Sequence, residues 1–142
     1  MTTTSTDTIK LVRDLMLIGV RTCRTKTSLI DAIRILALEK IEALIVLDEN
    51  GHATGLFGLR EVMNAFGLYG TDIRNCQKLT VAEVMQPNIP EILPEIPATA
   101  AAQLMLDQNI REMYLMHHDG GFKWPAAVLR FEDILSYLAN QS

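Results

Sequence analysis

The sequence predicts a mixed α/β protein of the α+β type, two β-α-β-β-α repeats packed as a pseudo-twofold pair. Three observations carry that reading. Residues 42–62 (EALIVLDENGHATGLFGLREV) and 111–134 (REMYLMHHDGGFKWPAAVLRFEDI) share one order: apolar strand, glycine turn, second apolar strand, then charged residues entering a helix. A shift of 69 positions aligns Val12 with Val81, Met16 with Met85, Ala32 with Ala101, Ile41 with Ile110 and Gly51 with Gly120. Beyond the turn the shift becomes 72, pairing Glu61 with Asp133 and Val62 with Ile134, which three extra residues in the second hairpin loop would explain. A three-stranded sheet under helices would leave an apolar face wet if it stood alone, so each copy is expected to supply the other's missing core.

In the first copy VRTC reads as a short extended piece. Ser28, with Asp31 three residues on, forms a capping pair that opens a helix near Leu29 to Lys40. That helix carries Leu29, Ile30, Ile33, Ile35, Leu36 and Leu38, an apolar surface broad enough to predict burial on more than one side. ALIVL reads as a buried strand, and Asn50-Gly51 as a tight hairpin turn with positive φ. TGLFGL is the returning strand, and REVMNAF a second helix stopped by Gly67.

The second copy repeats the order. NIPEIL is its extended piece, where Pro90 and Pro94 favour a sheet edge because they donate no ladder bond. PATAAAQLMLDQ is its helix, with Pro97 tolerated in the first turn. MYLM and AAVL are strands around Asp119-Gly120-Gly121, and FEDILSYLAN closes the copy. The expected division is a flexible tail over 1–8, a first motif over 9–67, a linker over 68–79 and a second motif over 80–142, both motifs forming one globular module.

Composition narrows the function. The chain has 142 residues, 49% of them hydrophobic and 21% charged, a globular balance. A formal net charge of −4 argues against a broad surface for nucleic acid. Cys23 and Cys76 lack CxxC spacing and read as reduced thiols of a cytoplasmic protein. No apolar run approaches the roughly 18 residues of a membrane helix, and the opening MTTTSTDT lacks the order of a signal peptide.

The lead-ins VRDLM (12–16) and VAEVM (81–85), the doubled element order and the closing segments GLFGLREVM and AAVLRFEDIL resemble the CBS domain family, whose motifs occur in tandem pairs. The resemblance spans Ile9 to Leu138. It implies a regulatory module, often a homodimer. It also implies a regulatory ligand built on adenosine, such as AMP, ADP, ATP or S-adenosylmethionine, and an unidentified protein that responds to it.

In ligand-binding members of that family a strand ends in an apolar residue, then Ser or Thr, two variable residues and Asp. The chemistry is intelligible. Free amides and the positive dipole end at a helix start attract phosphate, while a carboxylate one turn later accepts from ribose hydroxyls. Both copies depart from the pattern. The first reads Gly58-Leu59-Arg60-Glu61, with glycine for the hydroxyl, a longer acid and Arg60 as a source of charge. The second reads Arg130-Phe131-Glu132-Asp133; Asp133 matches the ribose-binding carboxylate, and Arg130 could pair directly with phosphate. By the same resemblance adenine would lie among Ile89, Pro90 and Met113, or among Val20, Arg21 and Leu44 in the first copy. The bland alternative is that each acid simply stabilises its helix. A ligand-free dimerisation or partner-docking scaffold is the corresponding second reading of function.

Other signals point elsewhere. His117 and His118 are neighbours at a strand end and face opposite ways, which does not suit one metal. His52, in a turn, reads as exposed. Trp124 reads as covering an apolar edge or a subunit contact. The seven methionines read as adaptable core filling. No glycine-rich phosphate loop, nucleophile elbow or catalytic triad is recognisable, so an enzyme is not expected.

Overall fold

The computed structural model describes residues 9–75 and 78–140. The predicted tail 1–8 and Cys76 lie outside the described residues. Helices α1 (Val12–Leu15), α2 (Leu29–Glu39), α3 (Leu59–Tyr69), α4 (Ala98–Gln108) and α5 (Phe131–Ala139) alternate with strands β1 (Leu17–Ile18), β2 (Thr22–Arg24), β3 (Ala43–Leu47), β4 (Ala53–Gly58), β5 (Glu112–Asp119) and β6 (Phe122–Arg130). The strands form two three-stranded sheets, ordered β2-β3-β4 and β1-β6-β5.

The chain divides into two compact units, and each interleaves segments. One unit holds Val20–Ile89 and His117–Pro125, the other holds the chain up to Gly19 with Pro90–Met116 and the chain from Ala126 onward. In the first unit β2 runs parallel to β3, and β3 antiparallel to β4. The Ser28 hydroxyl accepts the Asp31 N–H at 3.1 Å and so opens α2, as its sequence predicts. Leu29, Ala32 and Leu36 of α2 enter the core beside Leu44, Val46 and Phe57. The breadth of that helix's apolar surface misled: Ile33 and Ile35 are partly buried, but Leu38 faces solvent. One face, not several, is enclosed.

The copies exchange their lead-ins. Val81, Val84 and Met85 pack in the core built from the first copy, whereas Val12, Leu15 and Met16 pack in the core with Ile92, Met105, Met113 and Leu129 of the second. Val12 and Val81 are fully enclosed, each a burial of the order of 1.5–3 kcal/mol. The backbone follows suit. Leu17 and Ile18 pair antiparallel with Val128 and Ala127, and the equivalent Gln86 bridges Leu56 by two hydrogen bonds of 2.7 and 2.8 Å. The repeat thus survives in places where little identity remains. NIPEIL forms no regular strand; a single parallel bridge from Glu91 to Tyr114 stands where β2 pairs with β3 in the first copy.

Turns and helix ends differ from expectation at four points. In the first hairpin only Gly51 has positive φ, and Asp48 builds the turn by accepting the N–H groups of Asn50 and His52 on Oδ1. The two-residue positive-φ turn belongs instead to the second hairpin, at Gly120 and Gly121. Its additional residues lengthen the paired strands β5 and β6 and leave the loop short. Finally, α3 continues through Gly67 and ends at Gly70, with φ 58°. Pro97 is the residue before α4 and not within its first turn.

Candidate functional site

The start of α5 carries the residues singled out in the second copy. Arg130 is the last residue of β6, and its extended backbone turns the chain into the helix. Its N–H donates to Asp133 Oδ2 at 2.8 Å, its Nε to the same oxygen at 3.1 Å, and its Nη2 to Oδ1 at 2.8 Å. The pair lies in a partly covered position, with side-chain exposures of 25% for Arg130 and 11% for Asp133. Asp133 therefore caps the helix and neutralises Arg130 at once. Glu132 lies 3.8 Å from the guanidinium, and its Oε1 is enclosed without a hydrogen-bond partner among the described residues. Hydrogen bonding to Asp133, opposed by burial and aided by the charges of Asp133, Glu132 and Glu112, pushes the Arg130 guanidinium above its ordinary range.

Residues that sequence reasoning passed over complete this corner. The Phe131 N–H donates to the Arg111 carbonyl at 3.1 Å, and the Arg111 guanidinium stacks 4.9 Å above the Phe131 ring. Tyr114 donates its hydroxyl to Glu112. Arg111 stands where Glu42 stands in the first copy, so the repeat itself was the signal that could have drawn attention to it. Two amides at the helix start are thus already engaged, one by Asp133 and one by Arg111.

The first copy uses the same backbone plan with different side chains. The Gly58 N–H donates to Glu61 Oε1 at 2.8 Å, and the Leu59 N–H to the Glu42 carbonyl at 3.1 Å. Glu61 is buried, at 6% exposure. A Cβ on Gly58 would sit 2.9 Å from the Glu42 carbonyl oxygen and 3.3 Å from the Ala43 Cβ. Glycine is therefore required here for close approach of two backbones, and space for a ligand is not what it provides. Arg60 projects into solvent.

Backbone pairing brings some of the residues nominated for adenine beside one another: Val20 and Arg21 beside Leu44, and Pro90 beside Met113. The Arg21 carbonyl accepts the Ile45 N–H at 3.1 Å, which sets Val20 and Arg21 alongside Leu44, itself paired with Phe57 next to Gly58. Leu44 is fully buried in the core. The Arg21 guanidinium faces away into a bidentate pair with Glu39, 2.8 to 3.1 Å. In the second copy the Pro90 carbonyl accepts the Tyr114 N–H at 2.8 Å, next to Met113. Met113 and Ile89 are buried.

Comparisons with known proteins agree with the repeat. The family model for the CBS domain matches residues 12–68 and 81–140. No curated protein matches the sequence. Among solved structures, the fold resembles that of the CBS-domain-containing protein ATU1752 from Agrobacterium tumefaciens, at 20% identity and a TM-score of 0.77, covering 92% of this chain and 95% of that one. It also resembles the CBS domain pair of protein MJ0100, solved with 5′-methylthioadenosine and S-adenosyl-L-methionine, at 21% identity and TM-score 0.76, covering 95% and 100%. A third likeness is CBSX2 in complex with AMP, at 20% identity and TM-score 0.72, covering 91% and 96%.

Proposed function

Because this chain belongs to the CBS domain family, we propose that it is a regulatory module that binds an adenosine compound at the start of α5 and signals its occupancy to a partner. One observation carries the reading: a cation, Arg130, immediately before α5 and a carboxylate, Asp133, in its first turn stand three residues apart and pair at 2.8 Å. Asp133 would accept from ribose hydroxyls. Arg130 would turn from Asp133 to a phosphate, where the ligand carries one. AMP and the S-adenosylmethionine group of compounds are supported by the two fold relatives solved with them. Ligand would favour one arrangement of the copies over another only by its difference in affinity for the two. Motifs 9–67 and 80–142 would act together as one module of a cytoplasmic protein, consistent with the free, buried Cys23. Among the described residues no helix is long and apolar enough to cross a membrane.

A homodimer fits the surface. On α3 the side chains of Leu59, Met63 and Phe66, at spacings of four and three, are all exposed, and on α5 so are Leu135 and Leu138.

One observation favours a second reading, a ligand-free dimerisation or docking scaffold. In both copies the helix-start acid is already satisfied from within, by Arg130 in one and by the Gly58 N–H in the other.

A thermal-shift panel with AMP, ADP, ATP, S-adenosylmethionine and 5′-methylthioadenosine separates the two. Ligand at a hundred times its dissociation constant should add about 2.7 kcal/mol of stability. No shift with any of the five, in protein freed of carried-over ligand, favours the scaffold.

A further inference from the structure

The turn of the first hairpin and the tip of the second belong to the same compact unit, and His52 is where they meet. Its Nδ1 accepts the backbone N–H of Lys123 at 3.1 Å. Its ring leans on Phe122, with centroids 5.3 Å apart, Phe122 on Trp124 at 5.8 Å, and Trp124 on His117 at 5.4 Å. The histidine is not the plain exposed turn residue its sequence suggests. Asp48 fixes its backbone from the other side, accepting the His52 N–H on Oδ1 at 3.0 Å and donating its own N–H to the His52 carbonyl at 2.9 Å.

An imidazole nitrogen accepts a hydrogen bond only while it carries no proton. Here the neutral ring must hold its proton on Nε2. A second proton would turn Nδ1 into a donor aimed at another donor, the Lys123 N–H, and the junction would lose its polar contact. The charged and titratable side chains on the packed elements are Asp48 and Glu49 on the turn, and His117, His118, Asp119 and Lys123 on the hairpin. Beside the turn stand Arg24, whose Nη1 donates to the Asp48 carbonyl at 2.9 Å, and Lys26, 3.0 Å from Glu49. Asp48 Oδ1 is already held by two backbone N–H groups.

We propose that His52 is a pH-sensitive latch, fastening the hairpin tip 117–125 to the turn 48–52 when neutral and releasing it when protonated. The sign is fixed by the bond: docking is present at neutral pH and above, and is lost as the solution is acidified through the imidazole range. Histidine in water takes up its second proton near pH 6.5. Docking should therefore be stronger at pH 7.5 than at pH 5.5.

Amide hydrogen exchange of the full chain, corrected for the intrinsic pH dependence, reads this at the Lys123 N–H. The wild type should lose protection between pH 7.5 and pH 5.5. His52→Asn, which keeps an acceptor near the Nδ1 position but does not titrate, should hold its protection at pH 5.5. His52→Ala should be unprotected at both values, while β3 and β4 stay protected. Wild-type protection that is flat with pH overturns the latch. So does a loss in His52→Asn that matches the wild type, which would assign the response to His117, His118 or an acid.

Discussion

Arg130 and Asp133 grip each other through a bidentate side-chain pair, and a third bond runs from the Arg130 backbone N–H to the same carboxylate. The equivalent Gly58 and Glu61 keep only the backbone bond. One copy thus pairs its helix-start acid with a cation, whereas in the other Arg60 faces solvent and Glu61 is held by backbone alone.

The Arg130–Asp133 pair stabilises the fold as well as equipping the site. Asp133→Ala removes a cap and leaves Arg130 without its bidentate partner, and should cost roughly 1–2 kcal/mol. A double-mutant cycle with Arg130→Met and Asp133→Asn, read by urea unfolding, should show a coupling of about 1 kcal/mol. Strict additivity would mean the pair is a surface ornament.

Restoring a hydroxyl to the first copy should fail. Gly58→Ser places a Cβ 2.9 Å from the Glu42 carbonyl, and the strands must separate to admit it. Denaturant unfolding should show a loss of about 1–3 kcal/mol. A neutral or stabilising result would show that the approach of β4 to residue 42 is not tight.

Burial pushes the Cys23 thiol up to about 11, against the weaker opposing charge of Arg21. At pH 8, iodoacetamide should modify Cys23 of the folded chain about a hundredfold more slowly than in urea, measured in a Cys76→Ser background. The raised value also sets a stability window. The folded thiol stays protonated where the unfolded one ionises, so stability is full below the ordinary thiol range and falls as pH rises toward 11. Rapid modification of the native chain would contradict the buried placement.

Dimerisation has its own check. Phe66→Glu puts a charge in the exposed apolar stripe of α3 and should convert a dimer to a monomer in sedimentation without loss of helix content. A wild-type monomer would remove this part of the proposal.

The doubled order of elements was legible because apolar period and turn residues are local: ALIVL is β3 to the residue, and Ser28 caps α2 as read. The exchange of lead-ins was not. VRDLM and VAEVM look alike in both copies, and nothing in either string says whose core will enclose Val12 or Val81. Hairpin detail failed for a related reason. Asn50-Gly51 is a strong two-residue turn signal, but the Asp48 carboxylate captures two backbone amides and imposes a wider turn. At the candidate site, Asp133 and Arg130 could be named from their positions, yet their mutual pairing depends on side-chain direction, and so does the burial of Glu61.

Isothermal titration of an adenosine compound into wild type and into Asp133→Asn tests the central claim most directly. Asparagine keeps an oxygen acceptor for the Arg130 N–H but removes the charge that would take both ribose hydroxyls. Binding to the wild type should weaken at least about tenfold in the variant, a loss of about 1.4 kcal/mol, with circular dichroism unchanged. Equal affinity in the two proteins, or no heat from any adenosine compound with the wild type, would contradict it.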